Sequence, residues 1–163
     1  MAVSTRPRTI AALCGTFILL LAVGCSRKPA PRENSGVRED VAGLQQKLNP
    51  SLPLVAARWR EMDRAKVTGA PSADTVVYAY LTLDEKSWLQ LAAGALGRTG
   101  TVALPSDIAK QLLPTGIQTT PTEANGINVA GPLYDVASLS TAHYGATVGV
   151  RVGSALLLTV TGR

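Results

Sequence analysis

The sequence predicts an α+β domain in which N-terminal helices are followed by a mostly antiparallel sheet ending in a β-hairpin. Three patterns carry this expectation. Val37, Val41, Leu44 and Leu48 recur at spacings of four, three and four, which is one face of a helix. From Thr75 to Leu83 the chain alternates, with Val77, Ala79, Leu81 and Leu83 opposite Val76, Tyr78, Tyr80 and Thr82, in a β-branched and aromatic stretch. Near the C-terminus Val148, Val150 and Val152 alternate, Gly153-Ser154 supplies a turn, and Leu156, Leu158 and Val160 alternate again. Helices and strands occur without a regular βαβ rhythm, which favours antiparallel pairing.

Taken in order, the first helix is expected over 37–48 and is stopped by Pro50. Leu54, Val55, Arg58, Trp59 and Met62 predict a second short helix capped by Ser51. Its solvent side would carry Arg58, Arg60, Arg64 and Lys66 interleaved with Glu61 and Asp63, a mixed-sign face of the kind that usually meets water. After a turn at 69–73 and the strand at 75–83, Asp84 is placed to cap another helix. Trp88, Leu91, Ala92, Ala95 and Leu96 would form that helix's buried stripe, and Gly97 its end. A strand at 101–104 and a helix at 106–113, bounded by Pro105 and Pro114, follow. Then come a polar loop at 114–126, strands near 127–130 and 133–139, and the terminal hairpin.

Composition narrows the function classes. Across 163 residues, 46% are hydrophobic and 17% charged, which fits a globular domain rather than a disordered chain. The formal charge of +5 includes Arg6 and Arg8; without them 14 basic side chains face 11 acidic ones. That balance lacks the clustered cationic face of a nucleic-acid binder, so no nucleic-acid partner is expected. Cys14 and Cys25 are the only cysteines and His143 the only histidine. A disulfide framework, a cysteine-ligated zinc site and a multi-histidine metal site are therefore excluded from the region after Cys25, and neither metal nor cofactor is expected.

Residues 1–25 divide into three zones. Arg6 and Arg8 form a positive flank, residues 10–23 an apolar run, and Ala22-Val23-Gly24-Cys25 a series of small side chains before a cysteine. The run suits a signal segment and is shorter than the roughly 20 residues a spanning helix needs. The last four residues resemble the lipobox of bacterial lipoprotein precursors, with Ala22 standing where leucine is commonest and Leu21 one place earlier. Cys14 fits that pattern poorly, because bulky Leu13 precedes it.

The resemblance implies that the Cys25 thiol receives a diacylglycerol and that a signal peptidase then cuts between Gly24 and Cys25. The new amino group is often acylated as well. Three regions are then expected: a signal peptide at 1–24, a lipidated cysteine and flexible tether at 25–36, and a small domain at 37–163. The Pro-, Gly- and charge-rich composition of 26–36 supports the tether. The resemblance implies a lipid-anchored protein of the bacterial cell envelope. Ser26, in place of the aspartate that retains such proteins at the inner membrane, points to the periplasmic side of the outer membrane if the envelope is Gram-negative.

No motif of catalysis stands out. Gly94, Gly97 and Gly100 lack the Lys-Ser/Thr of a phosphate loop, and Gly145, Gly149 and Gly153 suggest close backbone approach within strands. His143 is the one residue able to act as a general base near neutrality, with Asp135, Ser138 and Ser140 nearby in sequence but no nucleophile elbow. Tyr78 and Tyr80 share one strand face and would offer an aromatic platform if exposed. The leading expectation is a non-enzymatic binding or assembly module acting on another envelope component. The alternatives are a membrane-tethered hydrolase using His143, and a binder of a small ligand or glycan through the 114–126 loop.

Overall fold

A computed structural model of the chain describes residues 36–48, 53–68, 74–146 and 148–162. The elements are α1 (Val41–Gln45), β1 (Leu54–Asp63), α2 (Arg64–Thr68), β2 (Thr75–Leu83), α3 (Glu85–Ala92) and β3 (Ala95–Pro105). They continue with α4 (Ser106–Leu112), β4 (Thr119–Pro121), β5 (Gly126–Asp135), a 3-10 turn at Ala137–Leu139, β6 (Tyr144–Gly145), β7 (Val148–Val152) and β8 (Ala155–Gly162). All strands join one antiparallel sheet of order β1-β2-β8-β7-β5-β3, with β4 added beside β5 and β6 beside β8.

This corrects the predicted α+β architecture of N-terminal helices followed by a sheet: the described residues are mostly antiparallel β-sheet, and the helices between the strands are short. The segment expected as a second helix is β1, paired with β2 from Leu54 to Asp63. Leu54, Val55, Trp59 and Met62 fit a period of four as well as a period of two, and pairing with the strongly alternating β2 decides between them. As a strand, β1 sends Ala57 and Trp59 into one core while Met62 packs against the other. The first helix is also shorter than its apolar period. Arg38 is extended and exchanges backbone hydrogen bonds of 2.8 and 2.9 Å with Trp59, leaving only Val41–Gln45 helical. Likewise α3 stops at Ala92, and Ala95 and Leu96 open an eleven-residue β3 instead of completing a buried stripe; Ala92, Ala95 and Leu96 are exposed.

The central strands β2 and β8 are buried on both faces. On one side Val77, Ala79, Leu81, Leu156, Leu158 and Val160 pack under Leu44 and Leu48, Leu91 of α3, and Val136, Leu139 and Ala146. On the other, Val76, Tyr78, Val150 and Leu157 meet Val102, Leu104, Val129 and the α4 residues Ile108, Ala109 and Leu112. β3 is three places from β8 in the strand order, yet the two share this second core. The sheet therefore curls over α4. Gly131 lets β5 bend there, since a side chain at that position would collide with the Arg151 carbonyl. The β7–β8 turn uses Gly153 at φ 60°, a backbone state that costs glycine nothing.

Polar groups fix α4 and α1 to the sheet. Arg58 donates to the Gln111 carbonyl, and Arg60 Nη1 lies 3.2 Å from Gln111 Oε1 and 3.7 Å from Asp107 Oδ2. The charged face expected to meet water thus splits: Arg58 and Arg60 turn towards α4, while Glu61 turns towards α1. Lys47 Nζ lies 2.9 Å from Glu61 Oε2 and donates to Tyr144 Oη at 2.8 Å, and Tyr144 Oη donates to Glu61 Oε1 at 3.0 Å. This mostly buried triad joins the turn after α1 to β1 and β6.

Asp84 caps α3 by accepting a 2.7 Å bond from the Ser87 N–H. The Ser87 hydroxyl, followed by this backbone bond, holds the Asp84 carboxyl below its ordinary value of 3.8. Because the folded-state value is the lower one, the cap's contribution is complete above about pH 4 and is lost as pH falls through the depressed value. Asp84→Asn keeps an acceptor at the N-cap and is expected to leave the melting temperature at pH 7 within a few degrees of the parent. It should also flatten the parent's decline between pH 4 and pH 2, measured by circular dichroism. An unchanged acid limb would show that Asp84 does not drive the effect.

Candidate functional site

The feature best suited to recognition is the edge of β3 that faces away from β5. Which backbone groups point there follows from the register. Pro105 lies opposite Gly126 and Thr99 opposite Pro132, and proline has no N–H to donate. Gly126 turns its own groups away from β3: its carbonyl accepts from Thr122 N at 2.9 Å, and its N–H donates to Thr122 Oγ1 at 3.0 Å. The odd-numbered positions of β3 are thus the non-hydrogen-bonded members of this ladder. Gly100, Val102 and Leu104 bond to β5, while Thr99, Thr101 and Ala103 direct N–H and C=O outward. Among the described residues no strand pairs with this edge.

That edge walls a cleft of about 590 Å³. Thr101, Val102 and Ala103 form one side; Gly145, Val148, Thr159 and Thr161 form the other; no β5 residue contributes. Arg64 and Asp74 sit at its margin, 3.3 Å apart in a half-exposed ion pair, so the two charges offset each other. Thr159 and Thr161 follow Leu157 on the same face of β8, where the second core gives way to the cleft. The volume falls in the range of ordinary ligand sites. The lining is neutral and hydroxyl-rich, and the outward backbone groups of β3 add a regular row of donors and acceptors.

A second groove, of about 460 Å³, lies between α4 and the start of the 114–126 loop. Ala109, Leu113, Pro114, Ile117 and Ile127 give it an apolar floor, and Lys110, Thr115 and Thr119 a polar rim. Part of this loop is β4 rather than irregular chain.

The residues singled out by sequence fare differently. Gly24 and Cys25 lie outside the described residues. His143 is exposed and makes no hydrogen bond among the described residues. Ser140 Oγ instead donates to the Ala146 carbonyl at 2.8 Å and accepts from Ala146 N, while Asp135 Oδ1 accepts from Ala137 N at 2.9 Å. These groups brace the 136–146 segment and are not assembled as a relay around His143. Tyr78 is buried against the second core and Tyr80 half-buried, so the aromatic platform does not form; burial raises both phenols above their ordinary value.

Among the described residues no group of three His, Cys, Asp or Glu side chains is placed to hold a metal. The cleft threonines belong to no motif, and the apolar half of the β8 alternation is the half that marks it as a strand. The intervening Thr159 and Thr161 were the available signal. Comparison with protein-family models, curated proteins and solved structures found no match for this chain.

Proposed function

We propose that this chain is a lipid-anchored binding module of the bacterial cell envelope, tethered through Cys25, which recognises another envelope component in the cleft beside β3. One observation carries the recognition half of this reading: an edge strand whose outward backbone groups wall a neutral cleft of about 590 Å³. The lipobox resemblance at 22–25 supports the anchoring half. A second reading, a small-ligand or glycan site, is favoured by the apolar groove between α4 and the loop.

Photo-crosslinking in intact cells separates the two. A benzoylphenylalanine placed at Thr159 is expected to give a discrete adduct, whereas one at the exposed Val55 gives none. Adducts at Lys110 and none at Thr159 would transfer the site to the α4 groove. Silence at both positions would overturn the binding reading.

A further inference from the structure

The chemistry of the β3 edge specifies its occupant more narrowly than the cleft volume does. Thr99, Thr101 and Ala103 present alternating donors and acceptors that repeat every second residue, a spacing of about 6.8 Å along the strand. Sugars and lipids have no matching repeat; an extended polypeptide does. From this we infer that the free edge of β3 receives an extended segment of a partner protein as an added strand. The inference rests on the binding reading above and names the partner of that same cleft.

Three features define the segment. The competent edge is short: Pro105 offers no N–H at one end, and Gly97, at φ 64° within the register break between Ala95 and Thr99, interrupts it at the other. Such guarding limits long sheet-to-sheet association while leaving room for a few residues. The edge also sits against the wall made by Gly145, Val148, Thr159 and Thr161, so a single strand fits where the sheet of a second folded copy would meet that wall. Finally, the charges in the lining among the described residues, Arg64 and Asp74, pair with each other. Side chains entering the cleft are therefore uncharged and small or β-branched, such as Thr, Ser, Val and Ala. Main-chain bonds supply the affinity and alternate side chains the selectivity, as in other cases of strand addition.

The test uses the full chain in detergent micelles and a random-peptide phage library. Selected peptides should be uncharged at alternate positions, and their binding should slow amide exchange at Thr101 and Ala103. N-methylation of a selected peptide at one alternate set of residues should weaken binding about tenfold or more, while methylation of the other set is tolerated. Ala103→Pro removes an outward N–H that β5 does not use, so the variant should keep its melting temperature within a few degrees yet lose binding. If that variant fails to fold, the N-methyl series on the parent chain still decides.

Peptides that bind the folded Ala103→Pro variant as tightly as the parent, or tolerate methylation in both registers, would overturn strand addition while leaving the cleft reading intact. Absence of any selected peptide would also overturn it. A dimer in sedimentation that Ala103→Pro dissolves would show the occupant to be a second copy, and would overturn the inference as stated.

Discussion

Replacing Trp59 with alanine is expected to lower the stability of the domain by about 3–5 kcal/mol, the usual cost of truncating a buried aromatic side chain. Trp59 is fully buried on β1, in the core roofed by α1 and α3. Burying an indole removes roughly 200 Å² from water, so hydrophobic transfer alone accounts for most of this loss. The remaining interactions are smaller. The Arg38 guanidinium lies 4.4 Å from the ring centroid, but Arg38 is exposed, which holds that contact to about 0.5–1 kcal/mol. The indole Nε1 donates to the Asp40 carbonyl at 3.1 Å, a neutral bond contributing about 1 kcal/mol.

These contacts make Trp59 the post to which residues 36–48 are fastened. Urea unfolding of Trp59→Ala should therefore show a lowered midpoint together with faster proteolysis within α1. Trp59→Phe, which keeps most of the packing, should lose considerably less. A Trp59→Ala penalty below about 1 kcal/mol would mean that the cavity collapses and that the indole is not the anchor inferred here.

The same residue shows what was legible in the sequence. The strands β2, β7 and β8 can be read without tertiary information, because β-branched and apolar residues run through them and Gly153-Ser154 marks the turn. In β1 the pattern is degenerate. Arg58, Arg60 and Glu61 look solvent-facing from either period, and only the structure shows two arginines turned to α4 and a glutamate turned to Lys47 and Tyr144. Glu61 and Tyr144 are 83 positions apart, so no local window reports their bond. The limits of β3 were hidden differently. Ala95 and Leu96 continue the helical spacing of α3, but Gly94 follows its end, closed against the Asp135 backbone by the bond from Asp135 N to Gly94 O at 2.7 Å.

The candidate site was only half visible for a related reason. Threonines at alternate positions of β8 can be read from the chain. The β3 edge they face, unpaired among the described residues, follows from strand order together with the curl that accommodates Gly131 and the packing of α4. The two prolines that reveal the hydrogen-bonding parity, Pro105 and Pro132, are present in the sequence, but their meaning appears only once β3 and β5 are in register.

Removing the Cys25 thiol is expected to have the largest effect of any single substitution on where the protein resides. Each methylene buried in a bilayer contributes about 0.8 kcal/mol, and one acyl chain gives only reversible attachment, so firm anchoring requires the two or three chains that the lipobox resemblance implies. If acylation precedes cleavage, as the lipobox resemblance implies, Cys25→Ala blocks both steps. The variant then retains residues 1–24, including the apolar run at 10–23, which can itself hold the precursor at the inner membrane. Membrane fractionation alone would therefore mislead. The decisive measurements are radioactive palmitate incorporation and the mass of the N-terminal peptide. The parent should yield an acylated peptide beginning at Cys25, and Cys25→Ala an unlabelled chain that still begins at its original N-terminus. Cys14→Ala should match the parent in both. Label that survived Cys25→Ala, or a native N-terminus carrying a free thiol, would detach the β3 cleft from any lipid anchor.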